Sequence, residues 1–306
     1  MDRRYRPDGR LMDVDGARLH YHHFEALQDA AGKPALLFLH GASGNAYDSM
    51  MAFRDSFEGQ YELIFLDRPG LGFSERDEAK HGSLPAQAEL IDAFLAKLGV
   101  DEVVVVGHSL GGAVTAALGL AAPDRVKGMA FLAPVSHVWP GGVNWYYTLA
   151  SLPVIGTLFC QFLVWPAAKF LAPAAIANVF YPDPVVDGYG EKIQLERLFH
   201  PKVFRANARD ITGLKKSIME QSRVYSTLRQ PSLAVSGTED TVVWPSIHCE
   251  GLLQDLPHME LLMLDGVGHM PHLTHTGQIV RALERLIQRV KVSDDVGATP
   301  GLEKAV

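Results

Sequence analysis

Ser109 stands between glycines in VVVVGHSLGG (103–112), directly after a run of four valines. A serine that leaves a buried strand and enters a helix through Gly107 and Gly111 makes a sharp turn. The turn carries Oγ clear of the backbone, and side chains at the two glycines would clash with the neighbouring strand and helix. The helix N-terminus favours negative charge beside it. A serine in front of a helix is also a common N-cap, so chemistry at Ser109 requires more of the chain. A hydroxyl is a poor nucleophile at neutral pH: it needs a base, and the base needs an orienting group. Of thirteen histidines, His269 in LDGVGHMPH (264–272) lies in a glycine-marked loop after the last apolar run, whereas His272 and His275 read as surface residues. The segment VSGTEDTVV (235–243) offers Glu239 and Asp240 as the orienting carboxylate. The order serine, acid, histidine distinguishes this set from arrangements that run His–Asp–Ser or Asp–His–Ser. Small residues in HGASGN (40–45) let a backbone N–H face a substrate oxygen, and Ala42 with Leu110 is the expected oxyanion-binding pair. Each such donor is typically worth about 3 kcal/mol in a transition state.

The elements that must position these residues are legible as well. Asp15-Gly16 separates two alternating runs in LMDVDGARLHYHHF (11–24), a tight-turn hairpin signal. Short, continuously apolar runs follow at 35–40, 62–67, 102–107 and 128–133, and again at 232–237 and 259–264. Continuous rather than alternating apolarity suits strands buried on both faces of a parallel sheet. Helical patterns lie between them. In 83–99, Leu90, Ile91, Phe94, Leu95 and Leu98 share a face before Gly99, and 109–122 is ended by Pro123. Strand–helix alternation is the mark of an open, doubly wound sheet. It stops after Pro134: residues 137–182 contain one charge, Lys169, and 183–229 are rich in both signs, with no strand punctuation in either half. The expected organisation is a core in two parts, 1–135 and 229–292, a helical insertion over 136–228, and a flexible tail over 293–306. Ile279, Val280, Leu283, Leu286, Ile287 and Val290 form the inward face of the last helix, expected over 276–292.

Composition narrows the function classes. A net charge of −7 disfavours nucleic acid as a partner. Cys160 and Cys249 stand far apart in unrelated contexts and read as two buried thiols rather than a disulfide or a metal motif. The opening MDRRYRPDGRL is basic with no apolar run behind it, so no signal peptide is read and a cytoplasmic address is the default expectation. The stretch 145–165 is uncharged over about the length of a bilayer span, but Pro153, Gly156 and Gln161 interrupt it. Apolar helices covering another part of the chain are the expectation there, with weak membrane-surface contact as an alternative use of the same residues.

Taken together, HGASGN, DRPGLGFSER (67–76), GHSLGG, GTEDTVV and GVGHMPH resemble, in this order and over nearly the whole chain, an α/β-hydrolase fold serine hydrolase of the esterase/lipase kind with a helical cap. The resemblance implies a mostly parallel, doubly wound sheet of about eight strands. It also implies Ser109, His269 and Asp240 as the catalytic set, because the family's acid lies three residues after its glycine, here Gly237. Asp67 and Arg68 then pin a turn beside the site. Relatives that displace at an alkyl carbon need a carboxylate nucleophile, because a serine would form an inert ether. Ser109 therefore implies attack on an acyl carbon. A carboxylic ester hydrolase needing no cofactor and no metal is the expectation, with a carbon–carbon bond hydrolase or a low-turnover ligand-binding protein as alternatives. Trp145, Phe159 and Phe162 of the cap, with Ser43, His108, Val243 and Met270 of the loops, are the expected lining of a pocket for a lipophilic small-molecule ester. Oligomeric state is left open.

Overall fold

The computed structural model describes residues 7–27 and 32–297. Asp15 and Gly16 both take positive φ, as a two-residue hairpin turn demands, and join β1 (Arg10–Val14) to β2 (Ala17–Phe24). The continuous apolar runs become β3 (Ala35–Leu39), β4 (Leu63–Leu66), β5 (Val103–His108), β6 (Val126–Leu132), β7 (Ser232–Gly237) and β8 (Glu260–Leu264). Their order in the sheet is β1-β2-β4-β3-β5-β6-β7-β8. The β1–β2 and β2–β4 pairs are antiparallel and the remainder parallel.

Every residue of β3, β4, β5 and β7 is buried, because helices cover both faces. Leu37 and Val105 pack toward the helices Leu84–Leu98 and Leu110–Ala121. Phe38, Val104 and Val106 pack on the opposite side, toward the helices Ala46–Phe57 and Thr276–Gly297. The last helix thus continues through residue 297, into the segment expected as a tail from 293, and residues 298–306 lie outside the described residues.

Between β6 and β7 the chain is helical. The helices Trp145–Ser151, Val154–Phe159 and Trp165–Phe180, the last continuous with a π-helical turn at Cys160–Val164, precede a long helix, Pro201–Gln221. The apolar stretch bends by 111° between Trp145–Ser151 and Val154–Ala168, and among the described residues no single helix is long and apolar enough to cross a membrane. The long helix buries Val203, Phe204, Leu214 and Ile218, together with Asn207 and Asp210. These two polar residues, one turn apart, are its link to the loops after β3 and β4. Cys160 and Cys249 are free and buried.

Candidate active site

β5 ends at His108 and the next helix begins at Leu110, so Ser109 alone makes the turn, at φ 51° and ψ −118°. Such a conformation costs a non-glycine residue about 1–3 kcal/mol and persists only where its surroundings impose it. Here the Ser109 N–H donates to Leu132 O at 2.9 Å, and its carbonyl accepts from Gly112 and Val135 N–H at 2.9 and 3.0 Å. A Cβ on Gly111 would fall onto the Leu39 carbonyl, and one on Gly107 onto the Gly111 carbonyl and Thr115 Oγ1, so strand and helix close up only around glycines. The Ser109 side chain makes no capping hydrogen bond. Its Oγ lies instead 3.1 Å from His269 Nε2.

His269 Nδ1 lies 2.7 Å from Asp240 Oδ2, while Asp240 Oδ1 accepts from Val242 and Val243 N–H at 2.9 and 2.8 Å. Ser109, His269 and Asp240 are all buried, and Glu239 is exposed. With its Nδ1–H donated to Asp240 Oδ2, the imidazole presents the lone pair of Nε2 to the serine hydroxyl, which donates. The acid and base loops are tied by Glu239 N–H to Val267 O at 3.0 Å. His108 Nε2–H donates to His269 O at 3.0 Å, so this residue braces the histidine from behind.

The loop after β3 runs against this line. A Cβ on Gly41 would stand 3.0 Å from His108 Nδ1 and 3.1 Å from Ser109 Cβ. The Gly41 carbonyl accepts from His40 Nδ1–H at 2.8 Å and from Arg68 Nη2 at 3.3 Å. Arg68 also donates from Nε to His40 O at 2.9 Å and pairs through Nη1 with Asp210 of the long cap helix at 3.0 Å. Burial and the Arg68 charge hold the His40 imidazole down at about 4, so it is neutral and accepts the Arg68 N–H on Nε2. Asp67 pins the neighbouring turns, accepting from Ala46 N–H at 2.7 Å and Phe73 N–H at 2.8 Å and pairing with His20 at 2.7 Å. Leu110 N–H belongs to the first helical turn, whose amides have no intrahelical acceptor.

His272 is not a surface residue. It is fully buried, 3.1 Å from Asp48 Oδ2, with its ring stacked against Phe53 and 4.3 Å from that of His108. Asp48 also accepts from Tyr189 of the cap at 2.8 Å. Burial alone would raise the Asp48 carboxyl, but His272, His108 and the Tyr189 hydroxyl outweigh it and hold it at about 2. Burial, with His272 and His269 nearby, pushes His108 well below the usual imidazole range. Asp48, His108 and His272 form one of two sets of ligand atoms within 4.8 Å of one another among the described residues, the other being Asp8, His20 and His22.

A cavity of about 290 Å³ lies beside the line, walled by Val135, Trp139, Leu214, Val242, Val243 and Trp244. Two wall residues touch the site directly: Val135 N–H bonds to Ser109 O, and Val243 N–H to Asp240. Of the seven residues expected to line a pocket, Val243 is in this wall. Trp145 and Phe162 are 71% and 66% exposed, on the outside of the cap. Phe159 is half-buried within the cap's own cluster around Cys160 and Phe204. Met270 packs with Tyr47, Phe180 and Tyr189. Ser43 is bound by Asn207 and His108 by His269. The uncharged stretch is apolar on every side, so helical spacing alone could not say which side faces inward. Trp139, Trp244, Leu214 and Asn207 were not read from the sequence. For Asn207 a signal existed: polar residues at 207 and 210 interrupt the apolar stripe of an otherwise amphipathic helix.

Residues 34–158 match the family profile described as alpha/beta hydrolase fold. The chain is 26% identical over 271 residues to the uncharacterized hydrolase YugF of Bacillus subtilis, covering 85% of this chain and 91% of that one. It is 24% identical to a 2-hydroxy-6-oxononadienedioate/2-hydroxy-6-oxononatrienedioate hydrolase of Burkholderia vietnamiensis, over 90% of this chain and 93% of that one. The structure of a thermophilic esterase from Thermogutta terrifontis superposes with a TM-score of 0.71 at 17% identity, over 92% of this chain and 99% of that one. The chain therefore has the α/β-hydrolase fold with a helical cap. The proteins that it resembles include an uncharacterized hydrolase, a 2-hydroxy-6-oxononadienedioate/2-hydroxy-6-oxononatrienedioate hydrolase and an esterase.

Proposed function

We propose that the protein is a serine carboxylic ester hydrolase for lipophilic small-molecule esters, working through an acyl-enzyme. The observation that carries the reading is the hydrogen-bonded line from Ser109 through His269 to Asp240, at 3.1 and 2.7 Å, buried at the head of β5. His269 takes the proton as Ser109 Oγ attacks the acyl carbon, and Asp240 stabilises the imidazolium. The Ala42 and Leu110 amides bind the oxyanion. His269 then protonates the departing alcohol, and a water molecule repeats the sequence on the acyl-enzyme.

The cavity wall supports a lipophilic acyl or alcohol group, because none of its lining residues is cationic and His248 beside it is held at about 4 by burial and His137. A dianionic substrate such as the one named for the Burkholderia relative would find no cationic side chain among the lining residues, the Lys215 ammonium over the Trp139 ring being bonded to Gly141 O at 2.9 Å. The test is labelling with a fluorophosphonate followed by peptide mapping, alongside hydrolysis of p-nitrophenyl esters of increasing length. Label on Ser109, and loss of both label and turnover in a folded Ser109→Ala variant, is the expected result. Label on another serine, or turnover surviving the substitution, refutes the reading.

A further inference from the structure

We propose that Asn207, on the cap, is a positioning residue for the oxyanion loop: it holds Ser43 so that the adjacent Ala42 N–H faces the reacting oxygen. The proposal rests on the acyl-transfer reading of Ser109. Asn207 is fully buried on the long cap helix, and its amide engages Ser43 with both ends. Oδ1 accepts the Ser43 N–H at 2.8 Å and Nδ2 donates to Ser43 Oγ at 3.0 Å. Ser43 is held at φ 63°, a conformation serine does not keep without restraint. The Tyr147 hydroxyl, also of the cap, lies near the Ser43 side chain.

The peptide before it is held from the other side. The Gly41 carbonyl is drawn toward His40 Nδ1 and Arg68. In a trans peptide the N–H points opposite to the carbonyl, so the Ala42 N–H is turned away from Arg68. Arg68 is itself anchored on Asp210, one turn beyond Asn207 and further gripped by Gln87 and Arg76. One face of one cap helix therefore restrains both peptides flanking Ala42. A merely covering lid has no need of such contacts. The cap in this protein completes the site that it covers.

The experiment compares the full-length protein with Asn207→Ala, Ser43→Gly and, as a control on the exposed face of the same helix, Lys216→Ala. Four quantities are measured: kcat and KM for p-nitrophenyl butyrate, affinity for a trifluoromethyl ketone that adds to serine as an oxyanion, and affinity for an unreactive ether of the same shape. Misaiming one of two oxyanion donors in Asn207→Ala lowers kcat about 10- to 100-fold, with KM within about threefold. Ketone affinity falls in parallel and ether affinity stays at the parental value. Ser43→Gly keeps the N–H arm, leaves the cap untouched, and gives a smaller loss in the same two quantities. Lys216→Ala matches the parent. Parental kcat and ketone affinity in Asn207→Ala, or a loss confined to KM, overturns the proposal while fluorophosphonate labelling of Ser109 leaves the acyl-transfer reading standing. Failure of the parent to label removes both.

Discussion

Replacing Asp240 by Asn changes one atom and tests the whole line of hydrogen bonds. Asp240 Oδ1 is committed to two backbone donors, Val242 and Val243 N–H at 2.9 and 2.8 Å. An amide NH₂ placed there would face two N–H groups, so the Asn oxygen must stay and its NH₂ must turn to His269 Nδ1, 2.7 Å away in the parent. Nδ1 then has to accept, and the imidazole proton moves to Nε2, which faces Ser109 Oγ at 3.1 Å. The serine loses its acceptor without any displacement of the fold. Wrong-tautomer substitutions of this kind lower kcat by about 10⁴, or about 5.5 kcal/mol of transition-state stabilisation. Saturating p-nitrophenyl butyrate gives kcat, and thermal unfolding gives the control, expected within a few degrees because both backbone bonds survive. Glu239→Gln, on an exposed neighbour, leaves kcat within about twofold. A kcat for Asp240→Asn within tenfold of the parent, or a collapse in Glu239→Gln instead, refutes the reasoning.

Stability and chain-length preference supply two more tests. His40 and His248 are each held at about 4, chiefly by burial, against 6.5 for a free imidazole. Their stabilisation is complete above pH 6.5. It is lost as pH falls from there toward 4, because the unfolded chain binds the protons first. Together they contribute a slope of up to about 2.7 kcal/mol per pH unit to the unfolding free energy near pH 5. Urea titrations at several pH values measure it, and His248→Asn should lower it by about one proton; an unchanged slope contradicts the assignment. In the cavity, each added methylene of substrate is worth up to about 0.8 kcal/mol, nearly fourfold in kcat/KM. The parent should therefore climb from acetate toward butyrate and hexanoate esters. Leu214→Trp, which fills the cavity from the cap side, should flatten that climb, while Phe162→Ser on the outer surface should leave it intact. Acetate as the best parental substrate would show that this cavity does not receive the chain.

What the sequence determined by itself is local and repetitive in character. Strands buried on both faces need no alternation, so runs such as 102–107 declare a covered parallel sheet without any knowledge of what covers it. Asp15-Gly16 specifies its own turn, and Gly107 and Gly111 mark a close approach that no side chain permits. Ser109, Asp240 and His269 were legible because each sits in a loop at a strand end, where chain order and loop composition stand in for position. Tertiary structure alone decided which surfaces meet. His272 is buried because Asp48, 224 residues away, supplies its counter-charge. Trp145 and Phe162 face outward because their segment is apolar on every side and only packing selects the inner one. Asn207 reaches Ser43 across 164 residues, and Arg68 reaches Asp210 across 142. A hydrogen bond depends on the placement of two groups in space, and between residues so distant in the chain that placement exists only once the cap has folded against the sheet.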